Sequence, residues 1–459
     1  VSRSPSDTDW RRLGHAVAGR VRRPGEAGFR EASVPFNKRF AGVTPAGVVS
    51  VKNAADVRIA IEWARETGVD VVARSGGHSY AGHSVNTGLV IDLSAMNTVS
   101  ANGSTGLVTA EGGARMADVH AAIQPHEMAF ALGNGASVGL SGLTLGGGCG
   151  ATSRVLGLTA DALVATTMVT ADGRLLHCDA TTNADLFWAC RGGGGGNFGI
   201  NVSFTYQATP VTGCASYLLL WDRADAPKVF SVLQEIVRQA PDELATRIGV
   251  SSAGGSALVV SAIGQYLGPA KELRELLDPV LSVAKPIRMD IADRTYWQAQ
   301  DDMRHETAEG AFAVRTNIVT RPLPDEAIAT LLSSIDRLPA SGNPDGGGAA
   351  LFSWGGAINR MGATETAFAH RNAMFLLSMD TSWAENDEPA VVDANLRWLA
   401  ELGNEMSPYV TDGAFQNFID PDLADWRTAY YGVNYPRLKE IKKRVDPDGV
   451  FTFAQSIGS

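Results

Sequence analysis

Apolar residues recur at Val57, Ala60, Ile61 and Ala64, the i, i+3, i+4, i+7 spacing of one helix face. Asn53 stands where an N-cap belongs and Gly68 where a helix ends, so a helix is predicted between them. The period then changes. Val69 to Ala73 is a short apolar run that predicts a strand, leading straight into Arg74-Ser75-Gly76-Gly77-His78. Leu89 to Leu93 and Gly106 to Ala110 predict two further strands. Arg115 to Ile123 reads as a helix with Met116, Val119, Ala122 and Ile123 on one side. Val164 to Thr170 and Arg174 to Cys178 flank Ala171-Asp172-Gly173, a hairpin signature. Asn201 to Gln207 alternates as one more strand and stops before Pro210.

Beyond Pro210 glycine thins and the helices lengthen, with Lys228 to Gln239 and Ala270 to Val283 the clearest. Ala257 to Ala262 and Ala349 to Phe352 read as strands between them, and Gly342 to Gly348 as a loop or linker. The C-terminal segment gathers Trp426, Tyr430, Tyr431 and Tyr435 ahead of the basic run Lys439 to Arg444. At 459 residues the chain is about three times a typical domain, so more than one unit is expected. The expected class is α+β, divided into residues 1–210, 211–405 and 406–459.

Composition narrows the function. With 45 % apolar and 19 % charged residues the chain is ordinary for a globular protein. Its 39 basic and 49 acidic residues leave a net charge of −10, which argues against a nucleic-acid partner. No apolar run approaches the ~20 residues of a membrane span. The N-terminal residues show no charged-then-apolar signal pattern, and Cys149, Cys178, Cys190 and Cys214 form no CxxC pair, so a cytoplasmic location is expected. His78 and His83 lack a third ligand at suitable spacing, so no metal is expected. No residue pattern sets an oligomeric state.

The chemistry-bearing excess is glycine, 50 residues gathered at Gly76-Gly77, Gly112-Gly113, Gly146 to Gly148 with Gly150, and Gly192 to Gly196. Such clusters make tight turns, or let backbone approach a ligand closely. A strand ending in Arg-Ser-Gly-Gly-His can offer successive N–H groups to phosphate oxygens. It is not a Walker A loop, since no GK[ST] follows. Nor is it a dinucleotide fingerprint, because Gly133 to Gly139 has the wrong spacing. No serine sits in a GxSxG elbow.

These residues carry a resemblance. Val72 to Ser79, Val138 to Gly148, Asp185 to Gly192 and Asn197 to Ile200 are similar to the berberine-bridge-enzyme-like FAD-linked oxidases of the vanillyl-alcohol-oxidase superfamily. So are Gly355 to Asn359, Thr366 to Arg371, Trp426 to Asn434, and Val445 to Phe451 running into Gln455-Ser456-Ile457. The resemblance implies a two-lobed PCMH-type FAD-binding domain and a substrate domain whose antiparallel sheet is backed by helices. The C-terminal segment then returns to the FAD domain. It implies that Arg74, Ser75, Gly76, Gly77, His78 and Ser79 cradle the pyrophosphate. Gly135, Ser137, Val138, Gly142, Gly148 and Gly150 are expected along the flavin, with Asn197, Gly199 and Ile200 flanking it. Tyr431 and Asn434 are expected to close it from the C-terminal side.

His78 is, by the same resemblance, the covalent flavin attachment point. Many relatives add a second bond from a cysteine, but Gly135 occupies that position here, so a single bond is expected. Cys149 does not match it and reads as a small buried residue. Alcohol-oxidising relatives often carry a tyrosine base where this chain has Phe415-Gln416-Asn417-Phe418, and a phenylalanine cannot exchange a proton. Tyr80, Tyr296, His305, Glu405, Tyr409 and Tyr431 remain as candidate bases. Val138 stands where a valine leaves room for O2 beside the flavin. The expected reaction is oxidation of a small or medium organic molecule, plausibly in specialised metabolism, by hydride transfer to flavin N5 with O2 reduced to peroxide. An oxygenating or cyclising flavoenzyme and a silent flavin-binding protein are the alternatives. Trp354, Trp383 and Tyr409 offer an aromatic surface for a flat substrate, or simply core.

Overall fold

The structure, a computed structural model, describes residues 5–252, 258–304 and 310–459. Ala257, at the head of one expected strand, and His305 lie outside them. Three main sheets organise the described residues. In the first lobe β1 (Arg20–Arg22), β2 (Gly47–Ser50), β3 (Val71–Arg74) and β4 (Leu89–Asp92) lie in the order β1-β2-β4-β3. β2 and β3 run parallel to β4, which demands a crossover between them. The helix Ala54–Thr67 supplies it. Asn53 Oδ1 accepts from the Asp56 N–H, Gly68 ends the helix at φ 69°, and the predicted stripe is buried together with Trp63. Burying Val57 and Ile61 completely is worth about 1.5–3 kcal/mol each.

The second lobe is antiparallel. β5 (Val99–Asn102), β6 (Leu107–Glu111), β8 (Leu163–Val169), β9 (Leu175–Asp179) and β10 (Ile200–Gln207) form a sheet in the order β5-β6-β10-β8-β9, while β7 (Met128–Ala129) pairs with β11 (Thr209–Pro210) apart from it. The hairpin expected around Asp172-Gly173 joins β8 to β9, and Gly173 takes φ 78° at its turn.

The third sheet holds β12 (Cys214–Asp222), β13 (Leu244–Ser252), β14 (Val259–Tyr266), β15 (Arg288–Arg294), β16 (Ala311–Val319), β17 (Gly347–Ser353) and β18 (Phe375–Trp383). Its order is β15-β12-β14-β13-β17-β18-β16, antiparallel throughout. The helices Ala226–Gln239, Ala270–Val283, Asp325–Ile335 and Pro389–Met406 cover one face and share a single apolar core with it. Strand alternation sends the intervening residues to the other face, which the helices leave open. Gly347 and Gly348, expected in a loop, are the first residues of β17. A Cβ on Gly347 would meet the Asp380 carbonyl oxygen at 2.5 Å, so close strand packing selects glycine there.

The C-terminal helices Trp426–Tyr431 and Tyr435–Val445 return to the second lobe, where Tyr430, Leu438 and Ile441 join its core. Buried polar contacts lock the sheets together. Arg371 pairs with Asp161 through two hydrogen bonds of 2.7 and 2.8 Å. Fully buried Asn37 donates to the carbonyls of Tyr80 and Phe312, at 2.9 and 3.0 Å.

Candidate functional site

The open face of the third sheet looks across a cavity of about 1080 Å³ at the glycine-rich loops of the two lobes. That volume reaches the upper end of the roughly 300–1,000 Å³ usual for a single ligand site, enough for a large cofactor with a substrate beside it. The lobe wall follows from β3. This strand lies parallel to β4, and the loop Ser75–Ser79 leaves its carboxyl end, where ligands of parallel sheets bind. Gly76 packs against the backbone of Gly139; a Cβ there would meet Gly139 Cα and the Ser137 carbonyl oxygen, both at 2.8 Å. Gly135, Ser137, Val138, Gly142, Gly150, Asn197, Gly199 and Ile200 also border the cavity.

The wall fits a flavin dinucleotide by its own features. Ser75 Oγ and Asn134 Oδ1 are buried without a hydrogen-bond partner, and both residues border the cavity. Each is a polar atom that the described chain leaves unsatisfied beside the cavity. Gly142 faces open space, and a Cβ on Gly195 would meet nothing nearer than 3.9 Å, so side chains there would fill a slot that the glycines leave clear. His78 stands at the loop's end, its ring stacked 3.9 Å from Phe36 and its Nε2 3.0 Å from Ser137 Oγ. Burial and the Arg115 charge push its pKa down to about 4, so the imidazole is neutral at pH 7.

Three of the expected cofactor-contact residues do not line the large cavity. The Arg74 guanidinium turns away from the large cavity and donates to the carbonyls of Ser84 and Ser33, at 3.0 and 2.7 Å, and of Ala32. Its donors are used in bracing the chain beneath the loop. Gly148, at φ 71°, lies against Thr159 and hands its N–H to Asn417 Oδ1 at 3.1 Å. Asn434 is fully buried outside the cavity and donates to the carbonyls of Ala363, Thr366 and Ala367. Tyr431 does border the cavity; its hydroxyl donates to Gln416 Oε1 at 3.1 Å, and Gln416 in turn donates to the Gly192 carbonyl. Lys442 ties the same region together from behind, donating to the Asn197 carbonyl and Asp446 at 2.7 and 2.6 Å.

Cys149 is half-buried on the cavity, and burial pushes its thiol up to about 12, so it stays protonated. Phe415 is fully buried, edge-on to Trp354 at 5.2 Å. It packs, as its chemistry requires. Trp354 borders the cavity, whereas Trp383 belongs to the helix-covered core and Tyr409 packs against it.

Of the candidate bases, Tyr296 is buried elsewhere and Glu405 sits on the surface paired with Arg337 at 2.8 Å. Tyr80 and Tyr431 border the cavity, but burial raises both phenols well above their ordinary value. They can donate hydrogen bonds and resist ionisation. The group that sequence reasoning missed is Asp380, midway along β18 on the cavity face. Burial, with a smaller push from Asp345, raises its pKa to about 6 against the opposing pull of Arg247. The signal was present as the one charged residue in the strand Phe375–Trp383.

Taken with the fold, a glycine wall with orphaned polar atoms, a neutral histidine and a facing carboxylate define a flavin-dependent oxidoreductase. Family models agree: residues 45–179 match an FAD binding domain and residues 414–458 match a berberine and berberine-like domain. The FAD-linked oxidoreductase YgaK of Bacillus subtilis is 32 % identical over 451 residues, covering 96 % of this chain and 97 % of that protein. Chitooligosaccharide oxidase of Gibberella zeae is 28 % identical over 461 residues, covering 94 % and 91 %. Among solved structures, Physcomitrella patens BBE-like 1 superposes with a TM-score of 0.89 at 26 % identity, covering 97 % of this chain and 98 % of that one. The chain belongs to the berberine-bridge-enzyme-like FAD-linked oxidases.

Proposed function

We propose that the protein is an FAD-dependent oxidase of a small or medium alcohol- or amine-bearing molecule, with Asp380 as proton acceptor and His78 as the single covalent tether. The observation that carries this reading is a half-buried carboxylate on the sheet side of the cavity that the glycine wall also lines, with its pKa raised to about 6. FAD held along that wall by the Ser75–Ser79 loop and the Gly135–Gly142 segment would supply the hydride-accepting chemistry, with O2 as the terminal oxidant and hydrogen peroxide as its product.

The chain's own residues do the rest. Asp380 is largely ionised above about pH 6 and can take the substrate proton as the C–H bond breaks. Burial keeps it a stronger base than a surface aspartate. Tyr80 keeps its proton and can donate a hydrogen bond to a substrate oxygen. His78 is neutral and engages Ser137 Oγ through Nε2, so Nδ1 is the nitrogen we assign to attachment. Gly135 offers no thiol for a second bond, and the protonated Cys149 is no substitute. Val138 lines the wall with a small side chain that leaves room for O2. The carbohydrate and chitooligosaccharide oxidases among the relatives favour a hydroxylated substrate.

Intact mass under denaturing conditions, for the parent and His78→Ala, tests the tether. One FAD retained by the parent and none by the variant is the expected result. A parent mass equal to the bare polypeptide would overturn the tether. A colourless supernatant after precipitation of such a parent would overturn flavin binding as well.

A further inference from the structure

The first lobe holds a second cleft, of about 520 Å³, parted from the large cavity by the loop Ser75–His78, whose residues border both. Its base is the carboxyl edge of the parallel sheet. Ser50 of β2, Asp92 of β4 and Arg74 of β3 are register partners at the strand ends, and all three line the cleft. Parallel sheets bind ligands at that edge, and the volume suits a small molecule. Arg22 of β1, Lys38 of the turn Lys38–Phe40 and Arg115 ahead of the helix Met116–Ile123 complete the lining, and none of the three borders the large cavity.

The acids of this cleft are occupied or peripheral. Buried Asp92 accepts from the Ser94 N–H at 3.1 Å and from the hydroxyls of Ser94 and Ser50 at 2.9 and 3.2 Å, and its charge offsets the burial of Arg74. Glu31 stands exposed at the rim. The cations are left over. Arg22 spends only Nη1, on Ser50 Oγ at 3.0 Å; Nε lies beneath Gly28 without an acceptor, and Nη2 is free for a ligand. Lys38 and Arg115 make no ion pair among the described residues. The charge pattern of the chain agrees: its first forty residues hold nine basic and four acidic residues, although the whole carries −10. Such a local excess concentrates anions against the net charge.

We propose that this cleft is a phosphate site, held by Arg22, Lys38 and Arg115 and separate from the cofactor and substrate cavity. Three cations brought from three elements suit a dianion with three acceptor oxygens, whereas one carboxylate is satisfied by a single guanidinium fork. The volume leaves room for the remainder of a small phosphorylated metabolite beyond the phosphate. The inference stands apart from the oxidase reading.

The test is calorimetric titration of the flavin-loaded protein with inorganic phosphate and with glycerol 1-phosphate, at an ionic strength fixed by sodium chloride. Flavin then fills the glycine wall, so phosphate bound there does not enter the result. Saturable binding with a Kd below about 1 mM is expected. Arg22→Gln and Arg115→Gln should each weaken it at least ~10-fold. Arg20→Gln removes the same charge from an exposed position on β1 outside the cleft and should change it less than ~2-fold. Tighter binding of the ester marks a phosphorylated metabolite as the ligand, and equal binding marks phosphate itself. No saturable heat up to about 10 mM, an affinity unchanged in both cleft variants, or an equal loss in Arg20→Gln would overturn the proposal. A preparation without flavin would sink the oxidase reading alone, because Arg22 and Arg115 do not border the large cavity and their variants still decide the cleft.

Discussion

The glycine wall and the sheet floor enclose one cavity from opposite sides and are made of different material. The wall is backbone: glycines packed so closely that Gly76 and Gly139 touch, with Ser75 and His78 presented at their edge. The floor is side chains: an open sheet face on which alternation places Arg247, Ser378 and Asp380. Backbone can hold a cofactor common to many relatives, because it recognises phosphate and ring edges without side-chain specificity. Side chains on a sheet face can change without disturbing the helix-covered core beneath. On the proposed reading the wall decides the cofactor and the floor decides the substrate.

The largest expected effect breaks the wall. Gly76→Val would drive a branched side chain into the Gly139 backbone, which cannot yield as a flexible side chain could. The purified variant is expected to carry no flavin by absorbance, whereas Ser378→Ala on the floor keeps its full complement. A Gly76→Val protein with parental flavin content would separate the wall from cofactor binding.

A smaller change sharpens the same contrast. Val138→Leu is expected to slow reoxidation of the reduced enzyme by O2 at least ~10-fold, about 1.4 kcal/mol on the barrier, while the rate of reduction by substrate stays near parental. Stopped-flow traces of the two half-reactions separate these rates. Equal slowing of both would mean that the substitution disturbs the wall rather than the path of O2.

A third effect is on stability, where the two sides have opposite signs. His78 is depressed to about 4 in the folded protein, so its contribution is present above pH 6.5 and is lost as pH falls toward 4. Asp380 is raised from 3.8 to about 6, so the folded state binds more protons than the unfolded chain across that window. Its contribution is present below pH 3.8 and is lost as pH rises through 6. Asp380→Asn removes that cost and is expected to stabilise the protein by about 1–3 kcal/mol at pH 7, with the gain shrinking toward pH 4. Denaturant melts at pH 4, 5, 6 and 7 measure it; a gain independent of pH would mean that Asp380 is not buried as a charge.

The same contrast explains what the amino-acid sequence could and could not reveal. Glycine clusters and an Asn53–Gly68 helix are local statements, and the loop after β3 and the helix Ala54–Thr67 follow from them. The direction of a long side chain is not local. Arg74 belongs to the right loop, yet its guanidinium is captured by the carbonyls of Ala32, Ser33 and Ser84, which tertiary packing brings to it. Asn434 sits in a family-like motif and spends its amide on three carbonyls behind the site. Asp380 and Arg247 were hidden for a further reason. They meet across one floor only after β13, β17 and β18 take their registers, and registers between distant strands leave no trace in spacing.

The division between wall and floor is tested most directly by rapid-mixing measurement of flavin reduction in the parent and Asp380→Asn, from pH 5 to 8, with a substrate that yields peroxide in screening. The variant is expected to bind flavin fully and to be reduced about 10²- to 10⁴-fold more slowly. It should also lose the parental rise in rate through about pH 6. Reduction of the variant at the parental rate, with the rise through pH 6 intact, would contradict Asp380 as proton acceptor and move the chemistry off the floor.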